Sequence, residues 1–386
     1  MSWLKPSWQA VLAILICVAA VAMGAMTRPE ANAIANPAAT INYPYIGMKG
    51  LIFGVLLVAS LASMALPSIL ARISILIAAS LAAAWLLIQA MYDSAFVGTA
   101  LAPYFMALAA AWLLAWLSVS LLSELKPVDR AARLLLRLVI PVIFGAWILI
   151  LWEGITRGAG VPFVLLPPPS LIGVRFANSL PILWADVQQT VFKSVIIGYA
   201  LGCSLGFLTA ILADRVPFLR RGLLPIGNMV SALPIIGVAP IMVMWFGFDW
   251  HSKAAVVVVM TFFPMLVNTV AGLAAAGRIE RDLMRTYASD YWQELFKLRL
   301  PAAAPFIFNA LKINSTLAMI GAIVAEFFGT PIVGMGFRIS TEVGRMNVDM
   351  VWAEIAVAAL AGSVFYGVVA LIERAATFWH PSIRGG

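Results

Sequence analysis

Ten long apolar runs constrain this 386-residue chain more than any other feature. A helix needs about 20 apolar residues to cross the hydrocarbon core of a bilayer. Charged residues make up only 11% of the chain, whereas soluble domains carry about 25%. The sequence therefore predicts an all-α polytopic membrane protein of about ten transmembrane helices, near 8–26, 48–66, 70–91, 100–122, 137–157, 190–213, 223–247, 253–276, 303–328 and 351–373.

The first run has two interpretations. It could be a secretory signal peptide, or an uncleaved helix, and we favour the helix because a hydrophobic multi-span protein needs no separate signal. The hydrophilic segment 123–136 is the best internal boundary. We predict a four-helix N-terminal membrane extension over 1–125 and a six-helix domain over 126–386.

The basic residues predict the orientation of the chain. With the N-terminus in the cytoplasm, sixteen of the 25 Lys and Arg residues fall on the inner side and eight on the outer side. This excess follows the positive-inside rule and places both chain ends and the loop 278–301 in the cytoplasm. The net charge of +8 comes from these short loops, so we expect no nucleic-acid partner.

No arrangement of residues suggests catalysis or metal binding. Cys17 and Cys203 lie in apolar runs without ligand-type neighbours, and His251 and His380 stand alone near segment ends. The chain also lacks a phosphate-binding loop of the Walker type. We therefore expect no catalytic residue, no metal and no cofactor on this chain.

The segment 282–301 is both charged and regularly patterned. Its apolar residues recur four apart, as on one stripe of a helix. The stripe could belong to a helix lying on the membrane surface or to a docking element for a cytoplasmic partner. Its members are Leu283, Met284, Tyr287, Ala288, Tyr291, Trp292, Leu295 and Phe296.

Small residues and prolines mark two of the spans. Gly198, Gly202 and Gly206 repeat every four residues, which allows close helix packing, although a pore-lining role is the alternative. Pro234 and Pro240 each remove a backbone hydrogen bond, and a kinked helix beside a translocation path is the resulting hypothesis.

One span carries unusually polar residues. Lys312 and Glu326 are ionisable groups inside it, and Asn309 and Ser315 contribute to a polar inner half. Intramembrane charges often face a translocation path. The alternative is that Glu326 is hydrated at the outer end while Lys312 reaches toward the inner one. In the outer loop 158–189, a short run after Pro169 could likewise be a surface helix or a contact for an external partner.

Several motifs together resemble the permease subunits of ABC importers. Asp282-Leu283-Met284 stands where the cytoplasmic loop of that family has Glu-Ala-Ala, Ala288 stands at its glycine, and Leu300-Pro301 at its end. Further matches are Leu233-Pro234, Trp245-Phe246-Gly247, Phe263-Pro264, Ala325-Glu326 and Gly334-Met335-Gly336. The likeness covers about 135–380 and is to the branch that imports taurine, alkanesulfonates, nitrate and similar small anions, along with thiamine-precursor pyrimidines and riboflavin.

The resemblance implies a six-helix type I permease core in the inner membrane. It implies two cytoplasmic ATPase subunits carrying ATP and Mg, a second permease copy, most simply an identical one, and an external substrate-binding protein. The implied cargo is a small anion such as a sulfonate, taurine or nitrate, with riboflavin or a thiamine precursor as the alternative. Asp282 and Ala288 depart from the family pattern, so the helix–turn–helix could be less sharply bent or continuous.

Two other classes compete with this interpretation. An ion-coupled secondary transporter needs coupling groups at the membrane midplane, which Glu326 near one end of a span does not provide. An intramembrane enzyme needs a cluster of His, Asp or Glu, and the sequence suggests none. Neither class explains the patterned segment 282–301.

Overall fold

The computed structural model describes residues 7–27, 44–92, 97–127, 129–230, 234–329 and 332–379, without the side chains of 44–48 and 228. Within these ranges the chain forms fourteen helices and no β-strand. They are α1 (Trp8–Ala22), α2 (Pro44–Ala65), α3 (Ile69–Ala90), α4 (Ala102–Glu124), α5 (Arg130–Ala159), α6 (Pro169–Asn178), α7 (Leu180–Arg215), α8 (Pro217–Val230), α9 (Ile235–Phe246), α10 (Trp250–Ala274), α11 (Arg278–Thr286), α12 (Tyr291–Glu326), α13 (Met335–Gly344) and α14 (Val348–Ala376).

Seven of the described helices are long and apolar enough to cross a membrane: α3, α4, α5, α7, α10, α12 and α14. They correspond to seven of the ten predicted spans. Shorter apolar helices, α1, α2 and α9, occupy the other three. The predicted span 223–247 differs most, because α8 and α9 are separate helices. Pro234 immediately precedes α9, where its missing N–H costs no helical hydrogen bond.

The chain divides into two compact units, Met1–Gly173 and Val174–Gly386. Helix α5 follows the predicted boundary at 125/126, yet it packs against α3 and α4 within the first unit. The compact units do not test the predicted division into a membrane extension over 1–125 and a six-helix domain over 126–386, which stays a prediction.

Small residues allow the helices of the first unit to pack closely. Ala10, Ala13, Cys17 and Ala20 recur every three or four residues along α1 and are all fully buried. Helix α4 contacts α1, α3 and α5, and the Tyr104 hydroxyl donates a hydrogen bond across to α5. The predicted role of Cys17 as a small core residue agrees with this burial.

In the second unit, α10 lies between α7 and α12 and packs against both. Helices α7 and α12 each contain a π-helical stretch, over Gln188–Val195 and Leu295–Arg299 respectively. Such stretches shift the helical register and often occur at functional sites. Here each one carries a side chain that ties α7 to α12.

Candidate functional site

The patterned segment forms two helices joined by a tight turn. Helix α11 ends at Thr286, and Ala288 then adopts a left-handed conformation with φ of 53°. The amide of Ser289 donates to the Met284 carbonyl at 3.1 Å, which closes the turn. Alanine therefore takes the conformation that glycine adopts without strain. The structure shows a bent helix–turn–helix, not the continuous helix that the departure at Ala288 left open.

The second helix begins at a reciprocal cap. The Asp290 carboxylate accepts from the Gln293 amide at 2.7 Å, and the Gln293 side chain accepts from the Asp290 amide at 3.3 Å. Each contact satisfies a backbone donor that the helix start would leave unpaired. This capping box fixes where α12 starts.

Exposed apolar side chains cover the outer side of this segment. We name them the docking surface. A partially exposed Met284 lies beside them, and the exposed Asp282 pairs only loosely with Arg285, at 3.7 Å. Exposure of this many large apolar groups on polar helices is typical of a binding surface. The docking surface consists of Ile279 (84% exposed), Leu283 (56%), Tyr287 (78%), Trp292 (45%) and Phe296 (62%).

Two of the predicted apolar anchors face the opposite way. Leu295 is fully buried and packs with Leu273 and Ala303. Tyr291 is half-buried, and its hydroxyl donates to the Asp214 carboxylate at 3.0 Å. These residues attach the segment to the body of the unit, and only the remaining anchors are free to meet a partner.

A buried ion pair holds the base of the segment. Arg299 donates to both oxygens of Asp214, at 2.8 and 2.5 Å, and its Nε donates to the Leu273 carbonyl at 3.1 Å. The Arg299 and Asp214 side chains are only 10% and 5% exposed. The Arg215 guanidinium lies 5.4 Å from the ring centroids of both Tyr291 and Trp292. Together they join the start of α12 to the end of α7.

Leu300 and Pro301, which complete the predicted motif, lie at the base of the same segment. Leu300 is partly buried in the cluster formed around Leu295, and Pro301 is exposed near the start of the α-helical part of α12. Pro301 lies within the first turn after Arg299, where its fixed φ suits a helix. Arg281 of α11 donates to the Leu273 carbonyl at 3.0 Å, which gives α11 its own attachment.

The glycine stripe of α7 lies directly against α10. A Cβ at Gly198 would approach the Val257 Cβ to 2.6 Å, and one at Gly206 would approach the Phe262 carbonyl oxygen to 2.5 Å. A Cβ at Gly202 would collide with the Thr261 hydroxyl. These positions allow the two backbones to approach as only small residues permit.

Lys312 has a carboxylate partner in the structure. Its Nζ lies 2.7 Å from Glu373 of α14, and the two side chains are 20% and 17% exposed. Nearby, Ser315 donates to the Lys312 carbonyl at 2.7 Å, whereas Asn309 is exposed. The charge of Lys312 is therefore balanced within the chain. An unpaired cation at this position would favour an anionic solute, and the pairing with Glu373 weakens that argument.

Polar contacts also join α12 to its neighbours at mid-height. The Tyr199 hydroxyl of α7 donates to the Leu311 carbonyl at 3.0 Å. The Asn314 amide, fully buried, donates to the Thr261 carbonyl at 2.8 Å and contacts the Cys203 sulfur at 3.3 Å. The sequence marked Asn314 only as polar, because its partners come from other helices.

Glu326 ends α12 in a buried network and is only 2% exposed. One of its oxygens accepts from Thr190 of α7 at 2.8 Å, and the other accepts from the Gly336 amide at 2.7 Å. The Thr190 hydroxyl also accepts from the Met335 amide at 2.9 Å. Glu326 therefore positions the start of α13. Its burial does not fit one of the two interpretations, a carboxylate hydrated at the outer end of its helix.

A second acid extends the same network. Asp186 is fully buried, accepts from the Gly334 amide at 2.6 Å and pairs with Arg338 at 2.9 Å. The hydrogen bond that Arg338 donates to Asp186 raises the pKa of Arg338 above its ordinary value, although partial burial opposes this. Glu354 of α14 is also fully buried, and its oxygens have no hydrogen-bond donor among the described residues.

A small apolar cavity lies near the start of α9, and neither Pro234 nor Pro240 lines it. Ile235, which follows Pro234, lines a cavity of about 160 Å³ together with Met260 and Pro264. Pro240 lies inside α9. A role for either proline in a translocation path remains a prediction.

The sequence did not identify Asp214, Arg299 or Asp186 as functional. The available signal was the rarity of acids. The chain has only 17 Asp and Glu residues, and two of them flank the predicted span 190–213, Asp186 four residues before it and Asp214 one residue after it. Arg299 was counted only as a topology determinant. Ile279, just outside the patterned segment, was also missed.

Comparison with known proteins gives a consistent set of transport permeases. The family model described as binding-protein-dependent transport system inner membrane component matches residues 198–378. The formylaminopyrimidine transport permease protein of Halalkalibacterium halodurans is 30% identical, covering 62% of this chain and 95% of that relative. The riboflavin transport system permease protein of Chloroflexus aurantiacus is 28% identical, over 61% and 88% respectively.

A more distant relative represents the anion branch. The taurine transport system permease protein of Escherichia coli is 24% identical, over 51% of this chain and 69% of that protein. The segment containing the bent helix–turn–helix and the docking surface lies wholly inside the matched family region. Because almost the entire length of a 30% identical permease aligns with it, the chain belongs to the family of binding-protein-dependent transport system inner membrane components, the permeases of ABC importers.

Proposed function

We propose that this permease forms the solute pathway of an importer whose energy comes from two separate cytoplasmic ATPase subunits. The proposal rests on the docking surface. Five large apolar side chains are exposed there, on a segment that the buried pair between Arg299 and Asp214 holds on its other side. Trp292 and Phe296 stack at 6.0 Å between centroids, and aromatic anchors of this kind dominate binding energy at interfaces.

The proposed orientation follows from the charge distribution. The N- and C-termini and the docking surface would lie in the cytoplasm of a cell whose inner membrane the protein spans. ATP and Mg would bind to the partner subunits and not to this chain. A second, identical copy of the permease would complete the pathway, and an external binding protein would deliver the solute.

The proposed cargo is a small anion such as a sulfonate, taurine or nitrate. The taurine permease relative supports this choice. Two relatives named for a formylaminopyrimidine and for riboflavin align over more of their length, and they support a nitrogen heterocycle as the second candidate. Lys312 adds little support for an anion, because Glu373 balances its charge within the chain.

Coupling is tested with Trp292→Ala combined with Phe296→Ala. We expect loss of ATPase-subunit capture and of ATP-dependent uptake into vesicles. The matched control is Leu360→Ala with Leu371→Ala, which removes two exposed apolar side chains (59% and 65%) from α14 instead. Capture and uptake that survive in the docking-surface variant would contradict the proposal.

The cargo is tested separately on the binding protein encoded beside the permease. Thermal-shift measurements with taurine, an alkanesulfonate, nitrate, riboflavin and formylaminopyrimidine compare the two candidates directly. Stabilisation by a heterocycle alone would refute the anion proposal while leaving the permease function intact.

A further inference from the structure

An aromatic groove lies in the first compact unit, between α4 and α5. Its volume is about 440 Å³. The lining residues on α4 recur at helical spacing along one helix face, from Trp112 to Ser123. They cover a length of about 16 Å. Trp8 extends the aromatic wall, because its ring lies 5.3 Å from the ring of Trp116 in an edge-on arrangement. The full lining is Trp112, Ala115, Trp116, Val119, Ser120, Ser123, Ile143, Phe144 and Trp147.

The two ends of the groove differ in polarity. Ser120 and Ser123 line it near the end of α4, close to the connection into α5. Tryptophans line the opposite end, with Trp112 on α4 and Trp147 on α5. An occupant would therefore place a polar group beside the 125–129 connection and an apolar group among the indoles.

A row of arginines continues the groove along α5. Arg130, Arg133 and Arg137 are spaced three and four residues apart, so they share one helix face. Phe144 lies seven residues beyond Arg137 on that same face, about 10 Å along the axis. The basic row therefore leads directly into the apolar groove.

These arginines are available for a ligand. All three are exposed, as is Lys126 just before them. Among the residues that the structure describes, none of the four has an ion-pair partner or a side-chain hydrogen bond. Glu124 and Asp129 are nearby, so the local charge is reduced but stays positive. An anionic, amphipathic occupant would match both the unneutralised arginines and the apolar groove.

We infer that this groove binds an anionic phospholipid, with an acyl chain along Trp112, Trp116 and Phe144 and the headgroup phosphate on Arg133 and Arg137. Arginine matches phosphate through paired N–H donors. Basic pockets between membrane helices on the cytoplasmic side bind anionic headgroups. A zwitterionic lipid would fill the groove but leave the arginine row unmatched, and a second copy of this chain would bring the same positive charge.

The test is native mass spectrometry of the full-length permease, purified in detergent and titrated with dioleoylphosphatidylglycerol or dioleoylphosphatidylcholine. We expect the phosphatidylglycerol adduct to form at lower lipid concentration. Arg133→Gln with Arg137→Gln should weaken that adduct about fivefold for each arginine removed. Phosphatidylcholine binding should not change in this variant.

Two further variants separate charge from shape. Arg220→Gln with Arg221→Gln makes the same charge change in the second unit and should leave phosphatidylglycerol binding as it is. Val119→Phe narrows the groove without altering charge and should weaken both lipids. Equal affinity of the native chain for the two lipids would overturn the inference. So would an unchanged phosphatidylglycerol adduct in the Arg133 and Arg137 variant, or dimer formation in place of lipid adducts.

Discussion

The buried pair between Asp214 and Arg299 allows the attachment of the docking surface to be tested quantitatively. In Asp214→Asn the side chain keeps its size, but an amide N–H₂ replaces one of the two acceptors that face the guanidinium. Arg299 is then left largely buried with Glu294, at 3.9 Å, as its remaining carboxylate. Breaking a buried pair costs about 3–5 kcal/mol, and we expect the lower end because Glu294 remains.

The exposed pair between Asp282 and Arg285 provides a matched control. Both side chains are about three-quarters exposed, and the charged atoms lie 3.7 Å apart. Exposed pairs contribute about 0–1 kcal/mol. Asp282→Asn therefore makes the same Asp-to-Asn change at an exposed ion pair, with little effect on stability.

Thermal unfolding of the detergent-purified permease measures the difference. At about 2–4 °C per kcal/mol, the loss of about 3 kcal/mol in Asp214→Asn should lower the apparent Tm by about 6–12 °C, and Asp282→Asn should lower it by at most a few degrees. Asp214→Leu combined with Arg299→Met should recover part of the loss, because no buried charge is then left unpaired. Equal shifts for Asp214→Asn and Asp282→Asn would refute the reasoning.

Three further predictions concern the same unit. Ala288→Gly should raise the apparent Tm by a degree or two, because relief of about 1–2 kcal/mol of left-handed strain exceeds the entropic cost of glycine; a lower Tm would contradict the strain. Gly202→Ala should cost about 1–3 kcal/mol by overpacking against α10, whereas Gly237→Ala, which meets open space, should cost much less; circular-dichroism melts compare the two. Lys312→Met should destabilise the protein, and Lys312→Met with Glu373→Met should restore stability and retain uptake; loss of uptake in the stable double variant would instead indicate a role in transport.

The sequence predicted the spans well because membrane crossing depends on a local property, the length of an apolar run. It did not predict the separation of α8 from α9, since the run 223–247 remains apolar through that region. Pro234 was noticed, but it was assigned a kink inside a helix when it in fact precedes one. Proline has the same local chemistry in both positions, and only the surrounding packing distinguishes them.

The coupling segment shows a second limit of the sequence. Its apolar spacing predicted a stripe, yet spacing alone cannot reveal which stripe residues face the body of the protein. Leu295 and Tyr291 turn inward because α12 continues into the packed unit, while Trp292 and Phe296 remain outside. Arg299 finds its partner 85 residues away in the chain, so no local pattern could have indicated the pair.

Helices α7 and α12 are in contact at three levels along their length. These contacts determine how a force applied to the docking surface can be transmitted. Arg299 binds Asp214 at one end, Tyr199 donates to α12 at mid-height, and Thr190 donates to Glu326 at the other end. Glu326 lies 27 residues after Arg299, about 40 Å along the helix. Sliding α12 along α7 would break all three contacts, and the glycine stripe holds α10 equally close. In the proposed function, force from an ATPase would therefore move α7, α10 and α12 together, and would reach α13 through the Glu326 network without any change in their mutual packing.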